Sequence, residues 1–427
     1  MLLLENEDAD STFGAQSKAP YLAKTLRAQG AFLPNYYATG HLSLDNYISL
    51  VSGQGPNPYT QADAPLYIDF APGAPGPDGQ AIGQGSIYPA SVKTIADQLD
   101  AKGLTWGGYM EDMANGKNGE PKTCRHPAPN AQDDTQQAEA GDQYATRHNP
   151  YMYFHSIIDD KAKCDARVLD LTKLPAALAD ESKTPNYTFI TPNLCHDGHD
   201  EPCVDGQPGG MTSANLFLQE WVPKILGSAA FKKDGLLIIT LDEAEQHDAS
   251  ACCGEKQGPN TPNNGGPTPG AGGGRIGAVL LSPYIKPGTE TKTEYNHYSL
   301  LRSVEDLFGL EHLGYAAQEG LVPFGPDVYT QRNGTSGGGG SSKPRATLSG
   351  VPKHCTTGSF KAKARSSGPA GRTLEATLDG KRLRSTTKSA LTVKVRCAGL
   401  RRGVHRLVAR VTAGGRSTHR VVHFRKR

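Results

Sequence analysis

The run Gly235-Leu236-Leu237-Ile238-Ile239-Thr240-Leu241, followed at once by Asp242-Glu243, constrains this chain more than any other stretch. It has no alternation of apolar and polar positions, so it does not read as a strand with one wet face. It reads as a strand buried on both faces, the pattern of a parallel sheet covered by helices. The acidic pair then falls at the carboxyl end of that strand, where open α/β sheets gather their ligands.

Neighbouring periodicities agree. Leu2-Leu3-Leu4 reads as the end of another buried strand, delivering Glu5-Asn6-Glu7-Asp8 into a loop. Helical spacing occurs at 21–29 (closed by Gly30), 91–104, 216–226 and 297–308, and strand-like runs at 105–110, 187–191 and 277–282. Residues 32–37 read as a short connection, 54–86 as a loop, and 111–148 as a long polar insertion. Strands alternating with helices over residues 1–333 predict an α/β domain, a doubly wound sheet flanked by helices. Residues 334–342, all Gly, Ser and Thr, read as a flexible linker. Beyond it, alternating runs at 374–378, 391–395, 404–411 and 419–424 with glycine-containing turns predict a small antiparallel β-sandwich over 343–427.

The formal net charge of +2 conceals two different pieces. Residues 343–427 carry 22 Lys and Arg against only Glu375 and Asp379, a net +20, while the remainder is at −18. So strong a field on a small domain either is simply solvated or favours an anionic surface such as cell-wall polymer or lipid head groups. Nucleic acid is disfavoured, since no aromatic residues are interleaved for base stacking. No apolar run reaches the roughly 18 residues of a membrane-spanning helix.

Eight cysteines at short spacings favour an oxidising, extracytoplasmic compartment and hence a secreted protein. Cys195 and Cys203 bracket a short loop, Cys355 and Cys397 share the basic piece, and Cys124 with Cys164 would leave the adjacent Cys252-Cys253. Eight cysteines allow about 105 connectivities, so spacing alone does not select one. No CxxC pair supports a zinc site. Met1-Leu2-Leu3-Leu4 is too short for a signal-peptide core, and the chain reads as starting inside a strand, as if a longer precursor had been truncated or its start miscalled.

Ser43 stands where Ala38-Thr39-Gly40 gives way to a helical pattern with Tyr47, Leu50 and Val51 on one face. A serine at such a junction serves as a helix cap or as a nucleophile where free N–H groups favour a phosphate. Glu5-Asn6, Asn193 to Asp200 and Asp242-Glu243 all follow strand ends. Singly, loop acids like these are mostly solvated or capping. Converging on one sheet edge with a hydroxyl and histidines, they suit a hard cation. A divalent cation on a serine oxygen lowers its pKa and neutralises a phosphoryl oxygen, while imidazole or Asn side chains stabilise the developing charge.

The combination resembles the phosphoesterase family of the alkaline-phosphatase superfamily, which contains bacterial acid phosphatases and phosphate-releasing phospholipases C. The matching pieces are Leu4-Glu5-Asn6, His41-x-Ser43-x-x-Asn46-Tyr47 with Ser52-Gly53, His148-Asn149-Pro150, and Pro192-Asn193-Leu194 with Asp197-Gly198-His199-Asp200. Thr240-Leu241-Asp242-Glu243, Asn296-His297-Tyr298-Ser299 and Glu305-Asp306-Leu307-Phe308-Gly309-Leu310 complete the order, across roughly residues 2–312.

The resemblance implies an alkaline-phosphatase-like fold and one divalent metal held by Glu5, Asn6, Asp242 and Glu243, with Ser43 as bridging nucleophile. It also implies that His199 and His297 face the phosphoryl oxygens or the leaving group. His41 and Asn46 join the catalytic set, and His148, Asn193 and Asp197 the substrate-binding set. The chain departs from the family at Glu243, where Asp is frequent, and at Leu42 and Asp45, where prolines are usual. A sulfatase needs Pro two residues after its nucleophile and then Arg, and Ser43-Leu44-Asp45-Asn46 lacks both.

The expectation is therefore a secreted, metal-dependent phosphoesterase that hydrolyses phosphate esters through a phosphoserine. A phospholipase C acting on lipid phosphodiesters differs from it in the pocket, not in the metal centre. The non-enzymatic rival, a surface-binding protein with a decayed site, is opposed by the retention of Glu5, Asn6, Ser43, Asp242 and Glu243 together.

Overall fold

The computed structural model describes residues 1–117, 119–331, 345–367, 373–413 and 416–427, and the linker expected at 334–342 lies outside them. The chain separates into two compact units, Met1–Asn333 and Gly334–Arg427.

The first unit is built on eight strands: β1 (Leu2–Leu4), β2 (Ala31–Leu33), β3 (Trp106–Met110), β4 (Val168–Asp170), β5 (Tyr187–Thr191), β6 (Leu237–Leu241), β7 (Ala278–Leu281) and β8 (Thr289–Glu290). They form one sheet in the order β8-β2-β7-β6-β1-β5-β3-β4. Strands β6-β1-β5-β3-β4 run parallel. Strand β7 is antiparallel to both β6 and β2, so the sheet is mixed, and β6 has a parallel neighbour on one side only. Every residue of β1, β3, β6 and β7 is buried, which is why alternation is absent from their sequences.

The register of β1 on β6 decides the rest. Leu2, Leu3 and Leu4 pair with Ile239, Thr240 and Leu241, so Glu5-Asn6 and Asp242-Glu243 leave the sheet side by side. Strand β5 flanks β1 on its other edge, with Leu2 opposite Ile190. The loop after β5 returns to donate a carbonyl: Asp197 O accepts from Glu5 N at 2.9 Å.

Four helices matter for the site: α1 (Ser43–Ser52), α2 (Ile95–Ala101), α3 (Gly210–Gly227) and α4 (His297–Phe308). All residues of α1 are buried, so this helix is interior rather than amphipathic. It stops at Gly53, whose φ of 68° is the left-handed conformation glycine adopts freely. Helix α2 starts at a capping box in which Thr94 and Asp97 exchange hydrogen bonds. Asn296 caps α4 through Ser299 N at 2.9 Å.

The sequence reading departs from the structure at several points, the unforeseen edge strand β4 among them. Residues 32–37 are not a mere connection: β2 sits inside the main sheet and Tyr36–Tyr37 forms a further short strand. The loop 54–86 contains the hairpin Ala71–Pro75 with Ala81–Gln84. The insertion 111–148, although polar, buries Cys124, Arg125, Tyr144, Arg147 and His148. Strands as short as β2 leave too few residues for any period to show.

The second unit has strands β9 (Arg345–Ser349), β10 (His354–Cys355), β11 (Ser359–Ser367), β12 (Thr373–Leu378), β13 (Lys381–Thr386), β14 (Ala390–Arg396), β15 (Gly403–Ala413) and β16 (Arg416–Lys426). They form two sheets, β9-β11-β14 and β10-β16-β15-β12-β13. Ala362, Leu391 and Val393 from one sheet meet Leu374, Leu407 and Phe424 from the other in one apolar cluster. The β10–β16 pair is parallel, so the unit is not wholly antiparallel. Four disulfides pair all eight cysteines: Cys124–Cys164, Cys195–Cys203, the adjacent Cys252–Cys253, and Cys355–Cys397. Among the described residues no helix is long and apolar enough to cross a membrane.

Glu305 in α4 is fully buried; its Oε1 accepts from Leu313 N at 2.8 Å, and its Oε2 has no partner. Burial raises its pKa to about 8. The folded state therefore keeps a proton that the unfolded chain releases above the ordinary carboxyl value. The stability due to this group is full below that value and is lost as pH rises towards 8. Glu305→Gln is expected to flatten that decline, its advantage over the wild type growing through this window; urea midpoints measured across pH check it.

Candidate active site

The four loop residues that follow β1 and β6 form one cluster. One atom of the Asn6 side-chain amide lies 3.3 Å from each of Glu5 Oε2, Asp242 Oδ1 and Glu243 Oε1. If that atom is nitrogen, its two hydrogens face three acceptors. If it is oxygen, four oxygens converge, which is favourable only around a cation, and a hard one. Asp242 Oδ2 is also buried without a partner. Burial, then mutual repulsion, pushes the carboxyls of Glu5 and Glu243 well up. The donor set thus fits a divalent cation. Glu5, His148 and Asp197 also offer ligand atoms within 4.8 Å of one another. There His148 Nδ1 bonds Asp197 Oδ2 at 3.2 Å, while its buried Nε2 has no hydrogen-bond partner.

Ser43 faces this cluster from the first turn of α1, donating from Oγ to Glu5 Oε2 at 2.7 Å. It is not the helix cap. Leu42 holds that position, with φ 73° and ψ 144° and no side-chain cap. This is a glycine-like conformation that costs a leucine about 1–3 kcal/mol. The N–H of Leu42 donates to Glu243 Oε2 at 3.2 Å, which ties the strained residue to the acidic cluster. The first-turn N–H of Leu44 is not free for an anion, because Asp63 Oδ1 accepts it at 2.9 Å.

The histidines divide. His148 Nε2 lies 3.4 Å from Glu5 Oε2, and its ring stacks on Tyr47. Tyr47 OH donates to Glu5 Oε1. His199 is one-third exposed at its side chain and bonds Asp200 Oδ1 at 2.7 Å. Burial lowers its pKa, but the Asp200 hydrogen bond and the charge of Asp197 outweigh this, so the net shift is upward. His41 bonds Glu243 through Nδ1 and Asp248 O through Nε2, so it holds a cluster carboxylate rather than facing a substrate.

His297 is a correction to its expected place at the phosphoryl group. Its Nδ1 bonds Tyr36 OH at 3.0 Å and its Nε2 bonds Asp242 O at 2.6 Å, so both nitrogens are engaged behind the cluster. Burial lowers its pKa to about 4 and keeps it neutral. Asn46 is used similarly: its amide accepts from Thr39 N and Gly40 N and donates to Gly40 O and Leu42 O, pinning the approach to Ser43. Asn193 donates to Asp112 Oδ2 and accepts from Cys195 N and His196 N, shaping its own turn. Asp197 is fully buried and joins His148 Nδ1 to His199 N, so it orients the two histidines instead of meeting substrate. In each case the reason is the same: a buried polar group must be paired, and the nearest partners here are protein atoms.

Sequence reasoning missed Asp63 and Arg147. Asp63 lies in a loop with no motif, at φ 56°. Arg147 precedes the matched His148 and is buried, with Nε 3.7 Å from Asp63 Oδ2 and Nη2 3.5 Å from His199 Nε2. Burial of an arginine inside a polar segment is not revealed by any sequence pattern, and Arg147 and Arg125 are both buried in this one.

Residues 3–311 match the Phosphoesterase family. The chain belongs to that family. Among its relatives, a probable acid phosphatase of Kluyveromyces lactis is 28% identical over 323 residues, covering 74% of this chain and 58% of that protein. A phosphatidylinositol-3-phosphatase of Mycobacterium tuberculosis is 21% identical over 323 residues, covering 74% of this chain and 78% of that protein. A phosphonate monoester hydrolase from Silicibacter pomeroyi aligns with 98% of this chain and 87% of its own, at 10% identity and a TM-score of 0.42. The chain spans about half the length of the fungal acid phosphatases it matches, between 51% and 58%.

Replacing Leu42 by Gly relieves the strained backbone. Leu42→Gly is expected to be more stable by about 1 kcal/mol and to turn over more slowly, because Ser43 is then less firmly aimed. Chemical denaturation and kcat, measured together, check the opposed changes.

Proposed function

We propose that this protein is a metal-dependent phosphoesterase that hydrolyses phosphate esters in two steps through a phosphoserine at Ser43. The observation that carries this reading is the placement of Ser43 Oγ, 2.7 Å from Glu5 Oε2 at the rim of the four-residue oxygen cluster. Family membership and the similarity to acid phosphatases support it. An alkaline-phosphatase-like fold is the finer reading of the mixed sheet, supported by the site's position at the carboxyl ends of β1 and β6.

Glu5, Asn6, Asp242 and Glu243 would hold the cation. A divalent ion there lowers the pKa of the serine hydroxyl and neutralises phosphoryl charge. The protein's own groups do the remainder. Leu42 fixes the turn that aims Ser43, and Glu5 Oε2 takes the direction of its hydroxyl proton. Ser43 Oγ passes its proton to Glu5 Oε2 as it attacks phosphorus, and the ester oxygen leaves. His199 supplies that oxygen's proton, a role that its upward-shifted pKa and partial exposure support. Water then releases phosphate from Ser43. His41 and His297 keep Glu243 and the Asp242 backbone in position throughout.

Assay of p-nitrophenyl phosphate tests the reading. Ser43→Ala is expected to lower turnover by on the order of a thousandfold or more, and dialysis against a chelator to abolish it until a divalent cation is restored. Full activity in the variant, or turnover untouched by the chelator, rejects the nucleophile or the cation respectively.

The four disulfides support an extracytoplasmic, secreted protein. For the second unit we propose binding to anionic polymer. Lys361, Lys363 and Arg365 of β11 and Lys394 and Arg396 of β14 are exposed, and none pairs with a carboxylate among the described residues. Lys361 stands directly opposite Lys394, a like-charge cross-strand pair that an anion would relieve. Co-sedimentation with an insoluble phosphate polymer is expected to fall when these five are changed to Gln, and equal pelleting of both proteins sinks the idea.

A further inference from the structure

We propose that Arg147 makes this site selective for phosphate monoesters, supplying a buried positive charge for the second negative charge that a monoester carries and a diester lacks. The proposal rests on the reading of Ser43 as the nucleophile of a phosphoesterase.

Arg147 belongs to the single turn Thr146–His148, so the turn that carries His148 to Glu5 also carries the guanidinium. Its three polar neighbours belong to the site's surroundings. Nη1 donates to Gln136 O at 2.9 Å, Nη2 meets His199 Nε2 at 3.5 Å, and Nε stands 3.7 Å from Asp63 Oδ2. Asp63, through its other oxygen, accepts the N–H of Leu44, the residue after Ser43. Arg147 is thus linked through one carboxylate to the first turn of α1, and through its other edge to the histidine placed at the leaving group.

What singles it out is how loosely it is paired. A buried guanidinium in a structural role is matched edge to edge by carboxylates at about 2.7–2.9 Å. Arg125 of this protein shows that arrangement: Nη1 and Nη2 bond the two oxygens of Asp142 at 2.9 and 2.7 Å, and Nε meets Glu120 at 2.6 Å. Arg147 is as deeply buried, yet its carboxylate partner is a full ångström more distant and engages Nε alone. A guanidinium has five N–H donors; the Gln136 contact employs one on Nη1, and His199 Nε2, when protonated for its role as acid, accepts none. The remaining donors, beside His199, suit a phosphoryl oxygen.

The chemistry then discriminates. A monoester above its second ionisation presents three charged oxygens, and an ion held in low dielectric by a preorganised charge is bound far more strongly than in water. In a diester one of those oxygens bears carbon, so it lacks the charge that makes an arginine hydrogen bond strong. Removal of Arg147 therefore harms the two substrates unequally, whereas removal of a merely structural side chain harms both alike.

The test uses the full chain with its divalent cation, on p-nitrophenyl phosphate and bis(p-nitrophenyl) phosphate. Arg147→Gln is expected to lose on the order of a hundredfold to a thousandfold in kcat/KM for the monoester and about tenfold or less for the diester, with Arg147→Lys recovering part of the ratio. An unchanged monoester-to-diester ratio in both variants overturns the proposal. Because a variant can fail to fold, the wild type provides a second measurement, competitive inhibition by methyl phosphate and by dimethyl phosphate. Methyl phosphate is expected to bind at least about tenfold more tightly; equal inhibition overturns the proposal. If the wild type hydrolyses neither ester, or Ser43→Ala is fully active, it is the underlying reading of the site that fails.

Discussion

Glu5, Asn6, Asp242 and Glu243 are forced together by the in-register pairing of β1 with β6. Three carboxyl side chains around one amide in a buried site repel one another, and burial adds the cost of removing each charge from water. The surrounding structure answers that repulsion group by group. Tyr47 donates to Glu5, the N–H of Asn6 and the N–H of Glu243 to Asp242, and His41 engages Glu243. His297 secures the Asp242 carbonyl from behind. These contacts hold the oxygens in place without removing the shared need for positive charge at their centre, which is the condition a hard cation meets.

The helix bearing Ser43 belongs to the same design. An interior helix with every residue buried can place its first residue with little freedom, and Leu42 converts that rigidity into direction by holding a conformation that leucine avoids. Asn46 braces the approach with four hydrogen bonds to Thr39, Gly40 and Leu42, so the strain is retained rather than relaxed. The polar first-turn N–H of Leu44 is answered by Asp63, which in turn faces Arg147. Ser43, the oxygen cluster and Arg147 are therefore connected through a chain of polar contacts and would not be expected to respond independently to substitution.

Legibility in the sequence followed element length and burial. Strands β6 and β5 and helix α4 were readable because their apolar residues recur over five or more positions, and α4 spans the same residues that its pattern marks out. Strands β2 and β4, three residues each, were not, since so short a run fits any period; β1, equally short, was legible because it is unbroken leucine. Of the site residues, Glu5, Asn6, Ser43, Asp242 and Glu243 were recognisable as acids and a hydroxyl at strand ends and a helix start. His297 and Asn193 were recognisable as polar residues in matched motifs, but the motif says nothing of which way a side chain faces.

The amino-acid sequence by itself determined that the strands ending at Leu4 and Leu241 are buried on both faces, and hence that the acidic pairs would emerge at the end of a covered sheet. It also determined the division into an acidic and a strongly basic piece, because charge is additive along a chain. Only the tertiary structure decided that β7 turns antiparallel, that His297 supports the cluster from behind, and that Arg147 enters the site from a polar insertion. The reason is physical: burial of an apolar run is a local property repeated along the sequence, whereas the partner of a buried polar atom is chosen among residues brought together from distant positions, and only the folded chain brings them together.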